Sequence, residues 1–245
     1  HGSVCHDQPI LFRGKPKLGA IVYRMIPSDS ARELAFASDE LDLMLGKREQ
    51  RWVERSRARG VTVDVFEPAE FRTLFLNRNI KPLDDVKVRQ AIAASVNINE
   101  IIRYAGKDVA DGGCSIIPNG YQGLDCSAGP YAYDPAHAKA LLASAGYPNG
   151  LKLKSVVSNA APQLPIMEII QAQLAKAGIT LEMEVVDHAT YQAKSRQDQS
   201  AIVFYGAARY PGADYWLTEF YDSASAIGAP AAMSNFGHCS VADDA

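Results

Sequence analysis

At 245 residues the chain is long enough to bury a substantial core, as one large domain or two modest ones. Apolar residues make up 47% and charged residues 22%, and the net charge of -3 gives no electrostatic ground for nucleic acid or an anionic membrane as partner. No apolar run approaches the roughly 18 residues that a bilayer crossing needs.

In chain order, Ile21 to Ile26 reads as a short apolar strand. Ser28 or Asp29 then caps a helix whose stripe is Ala31, Leu34, Ala35 and Ser38. Leu41 to Leu45 reads as a strand, and the charged stretch 47–59 around Trp52 and Val53 as a largely solvated helix ended by Gly60. Val61 to Val65 alternates as a strand, and Phe71 to Leu76 is a second β-rich stretch. Asp84 or Asp85 starts a helix with Val88, Ala91, Ile92, Ser95 and Val96 inward, and Asn99 or Asn97 starts a shorter one.

The Gly, Pro, Asp and Cys content of residues 106–132 predicts a long irregular loop. Asp134-Pro135 combines an N-cap with proline at the first helical position, and Gly146 ends that helix. A strand over Leu151–Val157 follows, then a helix over Pro165–Ala177 with Ile166, Ile169, Ile170, Leu174 and Ala177 on one face. Thr180–Val186 is a strand, 189–199 a polar helix and Ala201–Phe204 a short buried strand. Strands alternating with helices argue for an α/β protein with parallel or mixed pairing.

Phe204 to Leu217 runs from the buried strand through a turn into a helix, and open α/β sheets present side chains to ligand at such strand ends. Tyr205, Gly206, Arg209, Tyr210, Asp214 and Trp216 are therefore the candidate binding residues, aromatic area with polar tips being what a cleft needs. Each aromatic serves equally well as internal packing. The five histidines are scattered; His137 and His188 read as surface residues. Cys5-His6 and His238-Cys239 resemble halves of a zinc site without the clustered spacing, so neither metal nor cofactor is expected. There is no nucleophile elbow, phosphate loop or zinc-protease helix in the sequence, and an enzyme has no positive support.

Certain phrases recur in a telling order: Leu74-Phe75-Leu76-Asn77, Pro82 to Ala91, Tyr133-Asp134-Pro135 with Ala138 to Leu142, Ala145 to Gly150, Gln171 to Ile179 and Val185-Val186-Asp187. With Lys15 to Leu18, Ile21 to Arg24 and Ile26 to Arg32 upstream, the chain resembles the extracellular solute-binding proteins of family 5, the peptide- and nickel-type receptors of ABC importers. The resemblance implies a type II-like periplasmic binding protein fold, mixed sheets flanked by helices, with a partial two-lobe chain. Residues 1–76 would be a piece of the first lobe and the lobe-crossing segment, 77–236 the second lobe and 237–245 a truncated tail.

It also implies a monomer outside the cytoplasm, exported by a signal peptide, that closes on a small solute such as a peptide and docks on ABC permease subunits. Export favours a disulfide between Cys114 and Cys126, which flank a turn-rich loop; two free thiols are the alternative. At the position where peptide-binding relatives carry the aspartate for the ligand's ammonium, this sequence has Arg209, which suits a carboxylate or a planar group instead. A slip of a few residues in the match gives the acidic role to Asp214. A solute-sensing domain of a transcriptional regulator, built on the same fold, is the rival function.

Overall fold

The computed structural model describes residues 3–6, 17–47, 49–65, 70–129 and 131–241, the first four as backbone alone. They form two compact units, 1–63 and 64–245.

In the first unit, β1 (Ser3–His6) pairs antiparallel with β2 (Ala20–Tyr23). The Ser28 hydroxyl, not Asp29, caps α1 (Asp29–Ala37), accepting from the Ala31 amide at 3.4 Å. Ala35 is buried on that helix, but Leu34 is exposed. The basic stretch folds as α2 (Gln50–Ala58) with Val53 buried, and the Trp52 indole donates to Glu33 Oε1 at 3.0 Å. Leu41–Leu45 is not a strand, and Leu43 and Leu45 are 87% and 85% exposed. A strand needs a partner backbone for its N–H and C=O groups, and no described strand pairs with this run. Val61–Val65 lacks a partner in the same way and forms no strand.

The second unit contains β3 (Phe71–Leu76), α3 (Val86–Ser95), α4 (Ile98–Ala105), α5 (Pro135–Ser144), β4 (Leu151–Ser158) and α6 (Gln163–Lys176). It continues with β5 (Ile179–Val186), α7 (His188–Ser195), β6 (Ile202–Ala207), α8 (Ala213–Tyr221) and a 3-10 turn, Ser223–Ser225. Four of its helices, α3, α4, α5 and α7, start where polar side chains meet orphan amides. Asp85 accepts from Lys87 N at 2.8 Å, Asn97 from Glu100 N, Asp134 from Ala136 N and His137 N, and Asp187 from Thr190 N. Asp85 and Asn97 are thus the caps, in preference to Asp84 and Asn99.

β4 and β5 run parallel in register from Leu151 opposite Ile179 to Ser158 opposite Val186. Helix α6 connects them and buries Ile166, Met167, Ile170 and Leu174, with Ala177 just beyond its end; Ile169 is half-buried. Both strands begin after a glycine with positive φ, and a side chain on Gly150 would collide with the Gly178 carbonyl. That close approach lets the two strands start side by side.

β3 pairs antiparallel with β6, from Phe71 opposite Ala207 to Leu76 opposite Ile202. β3 is bonded across to β6 and lies within the second unit. The β3–β6 and β4–β5 pairs meet through one backbone bond and two serines. Ala201 N donates to Lys154 O at 3.0 Å, Ile202 N to Ser155 Oγ at 3.0 Å, and Val156 N to Ser200 Oγ at 3.0 Å. Both serines and their strand partners are buried. Ser155→Ala strands the Ile202 amide in the core and is expected to cost about 1–3 kcal/mol, read as a lowered denaturant midpoint at unchanged slope.

Two apolar clusters result. One gathers α3, α5 and α6 around β4 and β5, with Leu83, Ile92, Leu142, Ile170 and Leu174 at its centre. The other is aromatic, joining Phe75, Tyr121, Tyr191, Trp216, Phe220, Tyr221 and Phe236 below the end of β6.

Candidate functional site at the end of β6

The strand β6 turns at Ala207, and the segment 208–212 leads into α8. The loop 106–132, irregular as expected over its described residues, holds that segment in place. The buried Tyr121 hydroxyl donates to Arg209 O at 2.7 Å and accepts from Arg209 N at 3.3 Å. Gln122 N donates to Pro211 O at 3.2 Å, and Ala213 N to Gln122 O at 3.0 Å. The same loop is closed by a disulfide between Cys114 and Cys126, whose Cα atoms are 5.2 Å apart. Cys239 is a free thiol, and its burial pushes it above its ordinary range.

Arg209 lies at the first turn of this segment. Its Nε and Nη2 donate to the two carboxylate oxygens of Glu219 on α8, a side-on pair, and Nη1 donates to Ala208 O at 2.8 Å. The guanidinium also stands over the Phe220 ring, 5.7 Å from its centroid. The side chains are 28% and 9% exposed for Arg209 and Glu219. The hydrogen bond to Glu219 raises the Arg209 pKa further. Burial alone would raise the Glu219 carboxyl, but hydrogen bonds from Arg209 and Ser234 and the charge of Arg209 outweigh it and hold it below the usual range.

The sequence-predicted residues fall into three places. Tyr205 and Arg209 are together, half-buried, with the Tyr205 ring 4.9 Å from Phe236. Gly206 beside them has no room for a side chain, because an added Cβ would sit 2.6 Å from Glu70 Oε1 and 2.8 Å from Arg72 Cγ. Tyr210 and Asp214 are exposed, and Tyr210 is edge-on to Tyr215 at 5.6 Å between centroids. Trp216 is inside, 1% exposed, packed against Phe220 at 4.5 Å, Phe71 at 5.7 Å and Tyr121 at 6.0 Å.

Glu219 and Tyr121, which fix Arg209, were not singled out by the sequence. Glu219 had one signal, a carboxylate set directly among Trp216, Leu217, Phe220 and Tyr221. Tyr121 had none, since its partner is distant in sequence. His137 and His188 are on the surface, the latter 3.1 Å from Ser158 Oγ.

The comparisons with known proteins fit this architecture. The periplasmic binding protein MoaA of A. tumefaciens R10, solved in complex with mannopinic acid, is 45% identical with a TM-score of 0.83 over 99% of this chain and 50% of that one. DppA of Helicobacter pylori, in complex with the peptide STSA, is 26% identical with a TM-score of 0.76 over 99% of this chain and 47% of its own. The dipeptide-binding protein of Escherichia coli (strain K12) is 27% identical over 199 residues, 78% of this chain and 37% of that protein. The chain thus spans half or less of the length of these relatives. The family profile described as bacterial extracellular solute-binding proteins, family 5 Middle, matches residues 11–227, and the chain belongs to that family.

Proposed function

We propose that this chain carries one wall of the solute cleft in the binding component of an ABC importer, and that the solute is a small acid of the mannopinic type rather than an ordinary peptide. In this reading residues 1–76 belong to the first lobe and the lobe crossing, 77–236 to the second lobe, and 237–245 follow as a tail. The whole protein acts outside the cytoplasm as a monomer, closes around the solute by a hinge movement, and hands it to the permease. Tyr205, Gly206, Arg209, Tyr210 and Asp214 line the wall, and Trp216 supports it from below.

The observation that carries the choice of solute is the 45% identity with the mannopinic acid complex over 99% of the chain, against 26% for the peptide complex. The residues at the strand end agree with it. Where peptide-binding relatives need an acid for the ligand's ammonium, the half-buried group here is a guanidinium.

The test is thermal unfolding of the full-length protein with each solute. A ligand that binds only the folded state stabilises it by about 2.7 kcal/mol at a hundred times its Kd. Mannopinic acid is expected to raise the melting temperature, and the peptide Ser-Thr-Ser-Ala to raise it less or not at all. The reverse order would return the protein to peptide binding, with Asp214 in the acidic role.

A further inference from the structure

We propose that Glu219 is a positioning residue: it clamps one edge of the Arg209 guanidinium so that the opposite edge, together with the Tyr205 hydroxyl, receives a carboxylate of the solute. The proposal rests on the reading of the β6 end as a solute wall.

A guanidinium has about five N–H donors, arranged as a side-on edge, an end-on edge and one further N–H beside its stem. Glu219 occupies the side-on edge through Nε and Nη2, and the Ala208 carbonyl takes a hydrogen from Nη1. What remains is the end-on edge, one N–H on each of Nη1 and Nη2. The Tyr205 ring stands beside this group, its centroid 6.2 Å from that of Phe220, the ring beneath the guanidinium. A phenolic hydroxyl has its own proton to donate. The end-on edge and that proton therefore offer a row of donors, a shape that a carboxylate fits and an ammonium does not.

Orientation is what a long side chain on a strand end lacks, and here it is supplied on every side. Phe220 supports the guanidinium face at 5.7 Å, and Tyr121 fixes the Arg209 backbone through its hydroxyl. A second carboxylate arriving beside Glu219 would repel it, but Arg196 acts on Glu219 as a second cation and offsets part of that repulsion. The Arg209 side chain is 28% exposed, so its remaining edge can be reached from solvent.

The experiment is calorimetric titration of the full-length protein with mannopinic acid, using Arg209→Lys, Glu219→Gln, Tyr205→Phe and the double variant Arg209→Lys with Glu219→Gln. Arg209→Lys keeps the charge but loses the edge, and is expected to weaken binding on the order of 10- to 100-fold. Glu219→Gln keeps the shape, and is expected to weaken it about tenfold when Arg209 is present and hardly at all when Arg209→Lys is already in place. That loss of effect is the readout a merely structural role would not give. Tyr205→Phe is expected to cost about tenfold through one hydrogen bond. Cooperatively melting variants that all bind as tightly as wild type would overturn the cradle while leaving the receptor reading intact. A wild type that binds neither mannopinic acid nor Ser-Thr-Ser-Ala would overturn the receptor reading and the cradle together.

Discussion

Ile170→Asp is expected to unfold the second unit, or to lower its stability by more than about 4 kcal/mol. Ile170 is on the inner face of α6, 1% exposed, between the strands it connects and the helices α3 and α5. Its side chain packs into the apolar cluster around β4 and β5, where an ionised aspartate would lose its hydration. The alternative, a protonated aspartate, still loses the isoleucine packing and leaves a polar group without hydrogen bonds. Guanidinium unfolding followed by circular dichroism measures the loss. A variant of wild-type midpoint would mean that α6 does not sit on the β4–β5 pair.

Trp216→Ala carries the next largest effect, about 3–5 kcal/mol, the range for removing a buried indole from a packed core. The ring is 1% exposed and contacts three other aromatic rings, so its loss opens a cavity that rigid neighbours cannot fill. Trp216→Phe separates packing from polarity. The Nε1 hydrogen has no acceptor among the described residues, so phenylalanine gives up no hydrogen bond and recovers part of the packing. It is therefore expected to cost well under half as much as alanine. Equal losses in the two variants would mean that the indole N–H is satisfied after all.

The helices were legible because their signals are local. Asp134 with Pro135, Asn97 and Asp187 all cap helices within two or three residues of themselves, and the apolar face of α6 repeats at helical spacing within one segment. The strands were legible only where a neighbour exists. Leu41–Leu45 and Val61–Val65 have the composition of strands, but pairing is a long-range event that composition does not encode. The serine seam between β4 and β6 was invisible for the same reason: Ser155 and Ser200 look like ordinary polar residues until their hydroxyls are seen replacing ladder bonds.

The candidate site divides along the same line. Its position was readable, since an aromatic-rich turn after a buried strand is a local pattern. Its chemistry was not, because the state of Arg209 depends on Glu219 ten residues on and on Tyr121 in another loop. Trp216 illustrates the limit of composition: an aromatic beside a turn reads equally as wall or as core, and burial decides it.

The most direct test of the account is hydrogen exchange of the full-length protein with and without saturating mannopinic acid. The amides of Tyr205 to Asp214 are expected to gain protection when the solute is bound, because a ligand held by that segment suppresses its local opening. Binding of mannopinic acid with no change in exchange over residues 205–214, and protection gained elsewhere, would contradict the assignment of the β6 end as the solute wall.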